Sequence, residues 1–191
     1  PASPSPDDIT KAEAAEQALK YIWNADDVAA TLEQMAAWTI ATGNCGLQTF
    51  YDPDDDAVHI KSIAPFDVFY EGGVTSYEET RWAAVRTFVH RDDLAEAYPD
   101  EKEYIKKLAS NTGGSSPMSQ GRRFLAFGGD DSQINPKDRL EVFEIYTRGG
   151  DTAIMAGDRY LFKGKWTGKH LPVQLVRYTN VPGELWGMGY I

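Results

Sequence analysis

The sequence predicts an α+β fold in which an N-terminal helical hairpin precedes a β-rich part with short helices. Two stretches near the start carry apolar residues at helical spacing, whereas strand-type segments outnumber helical ones after Cys45. The chain has 191 residues, 42% of them hydrophobic. A chain of this size buries roughly 70% of its unfolded surface. We therefore expect one domain over 1–191, with the helical hairpin in 1–43 and mixed or antiparallel strands in 44–191.

Two apolar stripes, each behind a pair of aspartates, predict the helical hairpin. Asp7-Asp8 is a candidate N-cap region for the first helix, which we expect to end near Trp23. Its apolar positions at helical spacing are Ala12, Ala15, Leu19 and Ile22. A tight turn at Asn24-Ala25 then leads to a second cap at Asp26-Asp27, and Gly43 ends the second helix.

Alternation and turn residues predict the strands. Leu47–Tyr51 and Ala57–Ile63 form a hairpin around the rigid turn that begins at Asp52-Pro53. Thr152–Ala156 and Arg159–Phe162 form another around Gly157-Asp158. The remaining extended segments are Pro65–Tyr70, Trp82–Val89, Leu140–Tyr146 and Leu171–Tyr178.

The segment between Trp82–Val89 and Leu140–Tyr146 is predicted to contain short helices and a loop. Short helices are predicted near residues 91–109, opening at Arg91-Asp92-Asp93 and again at Pro99. Residues 110–121 are rich in Gly, Ser and Asn and predict a mobile loop.

Charge is distributed unevenly along the chain, whose net charge is −10. Residues 1–109 hold 21 acids and 9 Lys or Arg, a net −12, whereas 110–191 hold 8 acids and 10 Lys or Arg, a net +2. Sequence-reading DNA-binding proteins concentrate cations against phosphate. We therefore expect no tight sequence-specific DNA binding. The longest uncharged stretch, Gln34–Tyr51, is too polar and too broken by Gly to span a membrane.

No residue pattern in the sequence predicts a catalytic, cofactor or metal site. His59, His90 and His170 are far apart, and neither His-x-x-x-His nor Cys-x-x-Cys occurs. Gly164–His170 lacks the spacing and the Ser or Thr of a phosphate-binding loop. Cys45, the single cysteine, follows a helix end where a small residue fits close packing. We therefore expect a protein that is not an enzyme and needs no cofactor.

An acidic cluster marks the tip of the first hairpin: Asp52, Asp54, Asp55 and Asp56. A calcium loop of the EF-hand type starting at Asp52 needs Gly at its sixth position and Glu at its twelfth, where this chain has Ala57 and Ile63. We expect a solvated tip with Asx turns and no bound metal. His59, in the alternating run that follows, is predicted to be exposed.

A candidate contact patch combines cations with one aromatic residue: Arg122, Arg123, Arg159, Lys163, Lys165, Trp166 and Lys169. Such a mixture can contact a nucleic-acid backbone and stack on bases. It can equally form the solvated side of a hairpin, or meet the acidic first half of a neighbouring subunit. The sequence leaves these three interpretations open.

An ordered series of short motifs runs through the chain. Gly43 follows a helix, and a strand then ends in Tyr51-Asp52-Pro53. The later motifs are Ile60-x-x-Ile63-x-Pro65-x-Asp67-Val68, Ser76-x-Glu78-Glu79-x-Arg81, Asp92-x-Leu94-x-x-x-Tyr98-Pro99, Val142-x-Glu144-x-Tyr146-x-Arg148 and Pro182-x-x-x-x-Gly187-x-Gly189. In this order the motifs resemble the portal (head-to-tail connector) proteins of tailed bacteriophages, especially short-tailed ones. The resemblance covers almost the whole chain, although each motif alone has little specificity.

The resemblance implies a structural protein of the virion, made in the bacterial cytoplasm and placed at one capsid vertex. Portal proteins form a ring, usually of twelve copies, through which double-stranded DNA passes non-specifically during packaging and ejection. Terminase, scaffold or capsid proteins and tail adaptors are their partners. On this resemblance the chain is the wing region of a longer protein, an expectation that fits its start at Pro1 and its apolar end.

Two alternatives from other classes stay open: a stand-alone hydrolase that uses scattered carboxylates, and a small ligand-binding α+β module. Either one predicts a deep cavity lined by titratable groups with shifted pKa values. A portal wing predicts exposed apolar patches at its subunit faces.

Overall fold

The computed structural model describes residues 5–53, 55–108, 139–166 and 170–190. The helices described are α1 (Pro6–Ala25), α2 (Val28–Thr42), α3 (Arg91–Ala97) and α4 (Lys102–Lys107), with short 3₁₀ turns at Tyr77–Glu79 and Pro99–Glu101. The strands described are β1 (Asn44–Asp52), β2 (Ala57–Ile63), β3 (Val68–Tyr70), β4 (Trp82–His90), β5 (Arg139–Thr147), β6 (Asp151–Ala156), β7 (Arg159–Lys165) and β8 (Val173–Arg177). The predicted α+β class is confirmed.

Two antiparallel sheets contain the described strands. The smaller sheet has the order β2-β1-β8 and the larger one the order β3-β4-β5-β6-β7. The larger sheet pairs its strands in sequence order; β5, β6 and β7 are joined by short turns, whereas α3 and α4 lie between β4 and β5. The smaller sheet depends on a long return, since β8 pairs with β1 between Asn44↔Arg177 and Gln48↔Val173.

The helical hairpin differs from the sequence prediction at its caps. Ser5, and not the Asp7-Asp8 pair alone, caps α1: its hydroxyl accepts from the Asp8 N–H, and the Asp8 carboxylate accepts from the Ser5 N–H. The helix continues to Ala25, past the predicted end at Trp23. Asp27 is the N-cap residue of α2, but its side chain makes no cap hydrogen bond.

The chain is layered, with the smaller sheet between the helical hairpin and the larger sheet. Thr31 Oγ1 donates to the Ile60 carbonyl at 3.4 Å and Ser62 Oγ to Gln34 at 3.1 Å, so α2 covers one face of the smaller sheet. The opposite face joins the larger sheet in a core of Ile63, Val68, Tyr70, Ala83, Val85, Leu171, Val173 and Leu185.

A second core lies further along the same face of the larger sheet. Here α3 and α4 cover the strands, and the buried residues are Leu94, Ala95, Ile105, Leu140, Val142 and Ala156. One face of the larger sheet is therefore covered along its whole length, half by the smaller sheet and half by two short helices. We call its opposite face the outer face.

The predicted strands are present with shifted ends. The last strand begins at Val173 instead of Leu171 and ends at Arg177. The hairpin about Gly157-Asp158 is confirmed, and its second strand extends to Lys165. The loop predicted at residues 110–121 lies outside the described residues.

Candidate assembly surface

The contact patch predicted from sequence is split between two sides of β7. Register with β6 places Lys163 beside Ala153 and Lys165 beside Asp151, both on the outer face. Arg159 lies on the opposite side, 2.9 Å from Glu101 and with its guanidinium 4.4 Å from the centre of the Tyr104 ring. The patch is thus not one continuous basic surface.

Most of the described cations of the patch already have partners within the chain. Lys165 forms an ion pair with Asp151, and Arg159 one with Glu101. The ammonium group of Lys163 lies 4.2 Å from the centre of the Tyr160 ring. This pairing weakens the phosphate-contact interpretation and leaves Lys163 the most available of the three. Arg122, Arg123 and Lys169 lie outside the described residues.

Trp166 is held against the covered side of the sheet. The centres of the Trp166 and Tyr146 rings lie 5.8 Å apart in an edge-to-face arrangement. The indole N–H of Trp166 donates to the His170 carbonyl at 3.0 Å. Both contacts fix the ring within the chain. It therefore stabilises the packing between the sheets and does not complete a stacking platform beside Lys163.

A buried ion-pair network at Asp67 joins three strands. Asp67 and Arg86 have side chains only 7% and 10% exposed, and the Arg86 guanidinium lies 2.9 Å from Asp67 and 3.2 Å from Glu141. Arg86 also donates to the Phe66 carbonyl at 2.9 Å. Because Asp67 precedes β3 while Arg86 and Glu141 lie in β4 and β5, the network sets how these strands meet.

Arg148 likewise connects separate segments of the chain, at the opposite end of β5. Its guanidinium donates to the carbonyls of Thr80 and Tyr77, the latter at 2.8 Å. Those carbonyls belong to the 3₁₀ turn that precedes β4. Arg148 therefore ties the end of one motif to the backbone of another.

Glu144 and Tyr146 connect the larger sheet to the smaller one. The Gln48 amide donates to Glu144 at 3.2 Å, and the Tyr146 hydroxyl donates to the same carboxylate at 3.1 Å. Burial raises the pKa of the Tyr146 phenol well above its usual range. Tyr146 consequently stays protonated and acts as a hydrogen-bond donor.

The glycines at the two ends of the motif series contact each other. Gly43 has φ +88°, and a Cβ there would overlap the backbone of Met188 and Gly189. Asn44 fixes the same junction, since its side chain donates to the Gly187 carbonyl at 2.9 Å and accepts from the Gly187 N–H at 2.6 Å. The end of α2 and the C-terminal segment are thereby held together.

His59 is half-buried, so the prediction that it is exposed is wrong. Its Nδ1 lies 2.7 Å from Asp26 and its Nε2 2.9 Å from Asp55. The pKa of the His59 imidazole is raised, and the hydrogen bond to Asp26 is the largest cause. Asp26, which the sequence suggested only as a helix cap, therefore joins the helical hairpin to β2.

The acidic hairpin tip contains an Asx turn, as predicted, because Asp55 accepts from the Ala57 N–H at 3.2 Å. The structure also brings Asp52 and Asp55 together with His59, with one ligand atom of each within 4.8 Å of the others. Three such groups can hold a divalent ion, an arrangement that the search for fixed metal-binding spacings missed. Both ring nitrogens of His59 are already engaged, one with Asp55 and the other with Asp26.

Cys45 is fully buried and donates to the Ile63 carbonyl at 3.3 Å. Burial raises the pKa of its thiol to about 11. The thiolate is the nucleophilic form. A thiol with this pKa is almost entirely protonated at neutral pH, so Cys45 packs in the core and does not act as a nucleophile.

The open clefts on the described surface include two of similar volume. One, of about 370 Å³, lies beside Trp38, Phe66 and Arg86. The other, of about 390 Å³, lies between the sheets at Gln48, Lys61 and Glu144. The acids within reach of these clefts are engaged with Arg86 or with Gln48 and Tyr146. Neither cleft therefore presents a paired nucleophile and base in the part of the chain that the structure describes.

The outer face of the larger sheet, which no described helix covers, carries apolar residues beside the Arg86–Glu141 ion pair. Cross-strand register places Phe69, Ala84, Ile145, Ala153 and Lys163 side by side across all five strands. The neighbouring row includes Phe143 and Met155, and the rings of Phe69 and Phe143 lie 5.9 Å apart. Phe69, Trp82 and Tyr160 are 36%, 37% and 47% exposed.

The second exposed apolar surface is α1. Apart from half-buried Ile22, every side chain of this helix that the structure describes is exposed. Ile9, Leu19 and Trp23 are 48%, 66% and 50% exposed. Within the described ranges, no helix is both long and apolar enough to cross a membrane.

Comparison with known proteins gives no family assignment. No protein-family model matches the chain, and no curated protein matches it.

Proposed function

We propose that this chain is the wing region of a phage portal protein, a structural subunit of a ring at the capsid vertex. One observation carries the proposal. The residues of the ordered motifs form joints between backbone segments, and they do not converge on a reactive cleft. Asp67, Arg148 and Gly43 illustrate this, because each of them connects segments that are distant in sequence.

Two apolar surfaces that no described segment of the chain covers support the same proposal. Monomeric proteins rarely expose large contiguous apolar patches, and such patches mark contact sites. The outer face and α1 are different surfaces, so contacts between them would be heterologous, the type of contact that closes rings. As part of the proposal, DNA passes through the ring without sequence readout, and terminase, capsid or scaffold proteins and tail adaptors bind the assembled ring.

Electron microscopy of the full-length protein tests the proposal. We expect closed rings, usually of twelve subunits. Charge reversal of Lys163, Lys165 and Lys169 to Glu should impair ring assembly, because it places like charges against the acidic first half of the neighbour. The matched control reverses three exposed lysines elsewhere, Lys102, Lys106 and Lys107. Monomeric full-length protein, or rings that tolerate the first reversal at both low and high salt, would contradict this proposal.

The second cleft favours one alternative, a small ligand-binding module. Gln48 is 1% exposed, and its carbonyl oxygen has no hydrogen-bond partner among the described residues. A ligand that donates a hydrogen bond there would satisfy a buried acceptor. Binding is measured through the fluorescence of Trp166. Saturable binding of one small molecule per chain that is lost in Gln48→Leu would replace the portal proposal with this one.

A further inference from the structure

One side of the exposed helix α1 carries apolar residues with acidic residues beside and among them. Ile9, Ala12, Leu19 and Trp23 are spaced by three, seven and four residues, which places them on one side of a helix. Asp8 and Glu13 flank this apolar stripe, and Glu16 lies within it, paired with Lys20 at 2.7 Å. An isolated helix of this length is marginal in water, because most helical stability in proteins comes from packing of the apolar side. The stripe of α1 has no such packing among the described residues.

The outer face matches this stripe in length and in charge. From Ile9 to Trp23 the helix rises about 21 Å at 1.5 Å per residue. Four interstrand spacings from β3 to β7 span about 19 Å. The β3 end of the outer face has the Phe69 ring, with the Arg86 guanidinium 5.6 Å from its centre, and the β7 end carries Lys163. A helix with its acidic first half near β7 and Trp23 near β3 would complement both ends.

The two surfaces cannot meet within one chain. α1 lies with α2 on the helical side of the smaller sheet, and the outer face lies on the far side of the larger sheet. The main contacts of α1 are with α2 and β2. A contact between them therefore requires two copies of the chain.

We propose that α1 of one copy docks across the outer face of the next copy, and that this contact propagates head to tail. The inference rests on the proposed ring and names its subunit interface. Each copy contributes α1 to one neighbour and its sheet to the other, so the contact repeats without a two-fold axis.

Site-directed cross-linking of the full chain tests this arrangement. Leu19→Cys places a thiol on the stripe and Ile145→Cys places one at the centre of the outer face, while buried Cys45 serves as the background in wild-type protein. We expect a mixture of the two variants to form the mixed disulfide under mild oxidation. Each variant alone should stay near the wild-type background. Mass spectrometry of the joined peptides identifies the pair.

Tyr21→Cys is the matched control. Tyr21 is 71% exposed, more than Leu19, but lies on the opposite side of α1. With Ile145→Cys it should give at least tenfold less mixed disulfide than Leu19→Cys does. Equal yields from the two helix positions, or a dominant Leu19–Leu19 disulfide, would overturn the inference.

The outcomes separate this inference from the proposed function. Closed rings without the Leu19–Ile145 disulfide would contradict the docking arrangement but not the proposed portal ring. The disulfide in dimers or open chains without ring closure would support the docking arrangement and contradict the portal ring.

Discussion

Helices α1 and α2 are neighbours in sequence, but their surroundings differ. α2 packs on the smaller sheet and buries Val28 and Thr39, whereas α1 exposes all of its described side chains except Ile22 in part. The sequence pattern alone predicted both helices equally well. Local periodicity therefore identifies a helix, but it does not show which contacts stabilise that helix. The β-rich body contains two cores, and neither of them includes a described residue of α1.

A matched pair of leucines gives the largest expected difference between these regions. Leu171 is 2% exposed in the core between the sheets, and Leu19 is 66% exposed on α1. We expect Leu171→Ala to lower the free energy of unfolding by about 4 kcal/mol, because it leaves a cavity. Leu19→Ala should cost about 0.5 kcal/mol or less in the monomer. Urea denaturation at low protein concentration measures both, and similar losses would remove the contrast.

A pair of arginines gives the next largest effect. Arg86→Met should cost about 3 kcal/mol, since it leaves the buried Asp67 carboxylate without its guanidinium partner. Arg81→Met removes an ion pair to Glu71 from an arginine that is 81% exposed, and should cost less than about 1 kcal/mol. The same denaturation experiment compares them. A loss for Arg81→Met as large as that for Arg86→Met would show that burial does not govern these pairs.

The smallest expected effect concerns the junction between the helical hairpin and β2. Desolvation raises the pKa of Asp26, but hydrogen bonds from His59 and the Ile60 N–H outweigh it and lower the pKa overall. The raised pKa of His59 means that its contribution to stability is full below about pH 6.5 and is lost as pH rises through the higher folded value. The Asp26 contribution is lost only as pH falls through its lowered folded value.

We therefore expect the Tm of the wild type to decrease between pH 6 and pH 9 by more than that of His59→Gln. Thermal unfolding followed by circular dichroism at several pH values measures the difference. The exposed histidine variant His90→Gln serves as the control and should keep the wild-type slope. Parallel curves for wild type and His59→Gln would exclude His59 as the titrating group.

Several features were predictable because their signals are local. The Gly157-Asp158 hairpin, the helix stop at Gly43 and the close packing of Cys45 each depend on residues within a few positions of one another. The prediction that Asp7-Asp8 caps α1 was incomplete, because Ser5, followed at the third position by Asp8, forms a capping box. This signal is also local and is present in the sequence.

The amino-acid sequence by itself determined the α+β class, the helical hairpin and the main β-hairpins, because periods of 3.6 and 2 residues and turn residues act over short distances. Only the tertiary structure decided that β8 returns to β1, that Asp67 neutralises Arg86, and that His59 meets Asp26. It also decided which side of the larger sheet the described helices leave uncovered. These contacts join residues far apart in the chain, and side-chain packing, which no short window of sequence contains, sets their register.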